Sequence, residues 1–142
     1  IVLDINKHLD YKEFFELASQ KIAEKIGCDK ERIYKNILKR EEESTTVISK
    51  NLAIPHVVVD GKNLFTLLIA RCHEGIEFNE EYDHVNMVFM ILGTKDERNF
   101  HLRALSAIAQ IVQDPEFTEK WKKAKSISEL RDTVLLGRRN RD

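Results

Sequence analysis

Phe15, Ala18, Ile22 and Ile26 recur at intervals of three and four residues, the spacing that lines one face of a helix. Asp10 and Glu13 form a D-x-x-E capping pattern ahead of this stripe and Gly27 follows it, so a helix is predicted over 10–27. Asp29 can cap a second helix running to about residue 43, with Ile33 and Ile37 inward and charges outward. Its last turn would carry Glu41, Glu42 and Glu43, the wrong sign for a helix carboxyl end. Either the helix ends near Arg40 or another group compensates.

From 45 to 59 the residues turn β-branched, which predicts short extended segments. Pro55 marks an edge or a strand end, because it has no N–H for a ladder. Asp60-Gly61 reads as a turn. The runs at 64–72 and 85–92 are almost continuously apolar, the mark of strands covered by helices on both faces. After Gly93, Thr94 or Asp96 can cap a helix whose inward stripe is His101, Leu105, Ile108, Ala109 and Val112. Asp114-Pro115 breaks it and starts another helix through Trp121, and Ser126 or Ser128 caps a last short one ending before Gly137. The class is α/β. The tail over about 137–142, with Arg138, Arg139 and Arg141, reads as a disordered basic extension.

With 142 residues and 42% hydrophobic content, the chain is expected to be one domain, 1–142, around one core. Its 23 basic and 24 acidic residues leave a net charge of −1, too small a field to gather nucleic acid or anionic lipid. No nucleic-acid partner is expected. The longest apolar runs fall well short of the roughly 18 residues of a membrane span, so the domain is not expected to cross one. Cys28 and Cys72 lack paired spacing, which argues against a disulfide framework or structural zinc and fits a reducing cytoplasm.

No phosphate-binding glycine loop or nucleophile-elbow motif is present. Cys72-His73 and His84 lack the companions that a metal site needs, so no metal or cofactor is expected. Glu41 to Glu43 read as solvated surface, and His8, His73 and His84 as solvated imidazoles. His56 and His101 differ. Each interrupts an apolar pattern, His56 within NLAIPHVVV, and a pair of such histidines carries chemistry only if the two meet in space.

Three blocks, in this order, carry a resemblance over nearly the whole chain: Arg40-Glu41 with Thr45-Thr46 and then Ala53 to His56; Gly75 to Phe78 with Val85 to Phe89; and His101 to Ala109. The sequence resembles the type-2 EIIA domains of the bacterial phosphoenolpyruvate-dependent phosphotransferase system, the mannitol, fructose and nitrogen-regulatory branch. The resemblance implies an EIIA mannitol-type fold, a central mixed β-sheet with helices on both faces. It also implies a phosphotransferase, in which His56 accepts a phosphoryl group from phospho-HPr through Nε2 and passes it to a cysteine of an EIIB partner. His101 and Arg40 match the residues that stabilise the transferred group. No cofactor is implied.

The residue chemistry agrees with those roles. A neutral imidazole nitrogen is a competent nucleophile, a partly apolar setting protects a phosphohistidine from water, and Arg40 and His101 offer donors to phosphoryl oxygens. His101 is expected in the second turn of its helix, near the positive end. Some positions depart from the family pattern: Ser49 and Asn51 replace glycines, Val57 and Val58 replace a small and a basic residue, and His84 replaces a proline. The first two changes bear on partner docking. The alternative is a regulatory module of the nitrogen-regulatory kind, attached to or acting on a transporter or transcription regulator.

Overall fold

In the computed structural model, which describes residues 1–135, the chain forms one mixed sheet of seven strands with five helices around it. Its spine is the antiparallel pair β6 (Phe65–Glu77) and β7 (Val85–Thr94). Strands β1 (Val2–Ile5) and β2 (Leu9–Asp10) run parallel to β6 along its outer edge. On the other side β4 (Leu52–Ala53) and β5 (His56–Val59) run parallel to β7, and β3 (Val47–Ser49) lies antiparallel outside β4.

Side chains of β7 alternate between two cores, the period of two of a pleated strand. Val88, Met90 and Leu92 pack with α1 (Tyr11–Ile26) and α2 (Lys30–Glu43). Met87, Phe89 and Ile91 pack with α3 (Arg98–Ile111), α4 (Pro115–Lys123) and α5 (Ile127–Leu135). Burial on both faces is why the run lacks polar alternation. Phe14, Phe15, Leu130 and their like, fully enclosed, each contribute roughly 1.5–3 kcal/mol of transfer free energy.

The helix starts follow the capping residues. Asp10 and Glu13 form a reciprocal capping box, and Asp29 and Asp114 accept from Glu31 N and Glu116 N. Ser126, not Ser128, accepts from Glu129 N at the last helix. Gly27 closes α1 at φ 73°. The helix α2 runs through the three glutamates to Glu43, and the compensating group is Thr46, whose N–H and hydroxyl both donate to the Glu41 carboxylate.

Three expectations are corrected. Neither Thr94 nor Asp96 caps α3: the Thr94 hydroxyl bonds the Leu64 backbone and the Asp96 carboxylate accepts from Asn63 N, while a 3-10 turn, Lys95–Glu97, leads into the helix. Ala109 is exposed and Ile111 fills the inward stripe in its place. The strand expected over 64–72 continues to Glu77, through a register shift between Arg71 and Ile76. There Gly75 adopts φ 83°, and a β-carbon on it would come within 2.9 Å of His84 Cα, so only glycine fits. The short strands β1 and β2 carry too little pattern to be read before the sheet is seen. The basic tail lies outside the described residues.

Ser19 sits fully buried on α1 with no hydrogen-bond partner for its hydroxyl. Ser19→Ala removes that unpaired group and is expected to stabilise the fold by about 1 kcal/mol. Urea unfolding checks this: the midpoint should rise with an unchanged slope.

Candidate functional site

Strands β4 and β5 keep one register along β7, with Ala53 opposite Val88 and His56 opposite Ile91. The interruption between them falls at Ile54-Pro55, where proline supplies no N–H, though its carbonyl still accepts from Ile91 N at 2.8 Å. Ile54 turns its N–H outward to the Thr46 carbonyl at 3.0 Å. Its own carbonyl faces His56 Nδ1 at 2.8 Å. A carbonyl only accepts, so Nδ1 carries the proton and Nε2 is left with its lone pair.

Arg40, in the last turn of α2, reaches toward that lone pair: its Nη2 lies 3.4 Å from His56 Nε2, and its Nη1 donates to the Ser44 carbonyl at 2.9 Å. Among the described residues it forms no ion pair with a carboxylate. Its charge is therefore open to an incoming anion.

His101 lies in the first turn of α3, one turn earlier than expected, and is only 8% exposed. Its ring stands edge-on to that of His56, with centroids 5.8 Å apart and planes at 79°. Burial, reinforced by His56, pushes its pKa down, so the free site holds a neutral imidazole. Its ring nitrogens have no hydrogen bond to any described residue. That leaves the ring free to engage a group that enters the cleft.

These groups surround an open cleft of about 330 Å³. From α2, Asn36, Lys39, Arg40 and Glu43 line it at helical spacing; Val57 and Val58 of β5 form the wall beside His56. Sequence reading brought out His56, His101 and Arg40, and all three meet here. It missed Asn36 and Lys39, whose signal was their spacing on the same face of α2 as Arg40. It also set aside Glu41, whose contact with Thr46 depends on how the chain turns after α2. His8, His73 and His84 are exposed and lie outside the cleft. No group of three or more His, Cys, Asp or Glu side chains among the described residues could hold a metal ion.

The arrangement is a nucleophilic nitrogen flanked by a guanidinium and an unpaired imidazole, which suits an anionic group attached to His56. Residues 2–135 match the family model described as phosphoenolpyruvate-dependent sugar phosphotransferase system, EIIA 2. The chain belongs to the type-2 EIIA family. This EIIA domain is 31% identical over 107 residues to the fructose-specific EIIA component of the phosphotransferase system from Haloferax volcanii, covering 75% of this chain and 70% of that one. Its fold matches the crystal structure of nitrogen regulatory protein IIA-Ntr from Neisseria meningitidis, with TM-score 0.82 at 21% identity over 93% of this chain and 92% of the other. It also matches enzyme IIA mannitol of Escherichia coli, solved in complex with phosphorylated enzyme IIB mannitol, with TM-score 0.75 at 17% identity over 94% and 93%.

Proposed function

We propose that this EIIA domain is a phosphoryl carrier, with His56 as acceptor and Arg40 and His101 stabilising the transferred group. The observation that carries the reading is the bond from His56 Nδ1 to the Ile54 carbonyl, because it leaves Nε2 unprotonated and aimed at Arg40. The Nε2 lone pair attacks the phosphorus of the phosphohistidine on HPr. A new N–P bond forms as the donor's N–P bond breaks, and the donor imidazole leaves with its electron pair. In the onward step a thiolate of EIIB attacks, an S–P bond forms, and Nε2 recovers its lone pair. Arg40 and His101 hold the phosphoryl oxygens throughout, which lowers the barrier through preorganised charge and donors.

A protein donor and acceptor also fit the surroundings. Val58, which lines the cleft, and Phe100 and Leu102, which flank His101 in sequence, are large apolar side chains about half exposed. Exposed apolar groups beside a reactive centre favour a protein partner. No helix among the described residues is long and apolar enough to cross a membrane, and we place the domain in the cytoplasm, where phosphoenolpyruvate is supplied.

Incubation with phosphoenolpyruvate, Enzyme I and HPr, followed by intact-mass measurement at alkaline pH, tests this: one phosphoryl group per chain is expected, lost on adding an EIIB domain. A folded chain that takes up none would contradict the carrier reading and favour the regulatory module. Uptake without onward transfer to EIIB would favour that module too.

A further inference from the structure

Glu41 stands next to Arg40 in sequence, yet gives its carboxylate to Thr46 instead. One oxygen accepts from Thr46 N at 2.9 Å and the other from Thr46 Oγ. Thr46 is 3% exposed, so its position is fixed from all sides. Its carbonyl holds Ile54 N, and the Ile54 carbonyl holds His56 Nδ1. Within the same turn, the Ser44 carbonyl holds Arg40 Nη1. Two groups that must face each other across the reacting atom are therefore both tied to the short segment between Glu41 and Thr46.

We propose that Glu41 is a positioning residue whose clamp on Thr46 sets the tautomer of His56 and the 3.4 Å approach of Arg40 to Nε2. The consequence for phosphoryl transfer rests on the carrier reading; the consequence for the imidazole does not. Without the clamp the loop after α2 loosens, the Ile54 carbonyl no longer holds a fixed direction, and Nδ1 loses its acceptor. An imidazole without that acceptor exchanges its proton between the two nitrogens, and the fraction with a free lone pair at Nε2 falls. A carboxylate released from Thr46 would also be free to neutralise Arg40. The clamp keeps it occupied.

Ring-nitrogen NMR of His56 tests the proposal without any phosphoryl donor. The native domain is expected to show one tautomer, protonated at Nδ1, and Glu41→Ala an averaged pair. Uptake from phospho-HPr should slow by about 10²-fold in the variant, the usual effect of a misplaced catalytic group. Glu42→Ala, which alters an exposed neighbour, should leave the ring spectrum native. Where the alanine variant does not fold by circular dichroism, Glu41→Gln decides, since it can accept through one oxygen only and should give partial averaging. A native ring spectrum in the folded Glu41 variant would overturn the proposal. A native chain with a single tautomer that takes up no phosphate would instead sink the carrier reading and leave the clamp standing.

Discussion

With His56 replaced by alanine, the domain is expected to take up no phosphoryl group from phospho-HPr, however long the exposure. With His101 replaced, uptake should persist but slow by about 10²–10³-fold, the typical effect of removing one preorganised donor from a developing charge. The two histidines lie side by side but are not equivalent. His56 Nδ1 is tied to a carbonyl, so its reactive nitrogen is defined; His101 has neither ring nitrogen engaged and is the more buried. A phosphoryl group arriving beside His101 places negative charge against an imidazole whose pKa burial holds down, and so should move that pKa back up. His101 then becomes a charged donor only when there is something to hold. A time course of intact mass for native, His56→Ala and His101→Ala chains separates acceptor from stabiliser, and histidine titration by NMR in both states reads the shift.

Asp4→Ala is expected to cost about 3 kcal/mol, the low end of the penalty for breaking a buried ion pair. Arg71, with a side chain 6% exposed, donates through Nε and Nη2 to the two Asp4 oxygens at 2.9 and 2.7 Å, and through Nη1 to the Trp121 carbonyl at 2.8 Å. The pair joins β1 to β6 and fastens both to the end of α4. Removing Asp4 leaves a guanidinium buried with one neutral partner, and frees His73, which also bonds the carboxylate at 2.8 Å. The cost sits low in the range because the Asp4 side chain keeps 22% of its surface in water. Hydrogen bonds from Arg71 hold the Asp4 pKa below its ordinary value. Its stabilisation is therefore complete above the unfolded carboxyl value of about 3.9 and fades as pH falls through the folded one. Urea unfolding should show a full gap between native and Asp4→Ala at neutral pH that narrows in acid.

The parts of the fold with a repeating physical signal could be read from the chain. Five helices followed from apolar spacing, with Asp10, Asp29 and Asp114 as caps and a choice of Ser126 or Ser128 for the last, and the double burial of β6 and β7 followed from their unbroken apolar runs. Features whose cause lies far along the chain could not. The strand β1 is four residues of no marked pattern, and it exists because β6 offers an edge. The start of α3 depends on where Thr94 and Asp96 spend their hydrogen bonds, and both spend them on the 63–64 backbone. In the site, the two histidines stood out because each broke an apolar pattern. Glu41 did not, since a run of three glutamates at a helix end reads as surface until Thr46 folds back onto it.

The proposed carrier role turns on one atom. Phosphorus–nitrogen coupling in a nitrogen-labelled, phosphorylated domain identifies the ring nitrogen that bears the phosphoryl group. His56 Nε2 is expected to bear it, with Nδ1 still protonated against the Ile54 carbonyl. Phosphorus on Nδ1, or on His101, would contradict it.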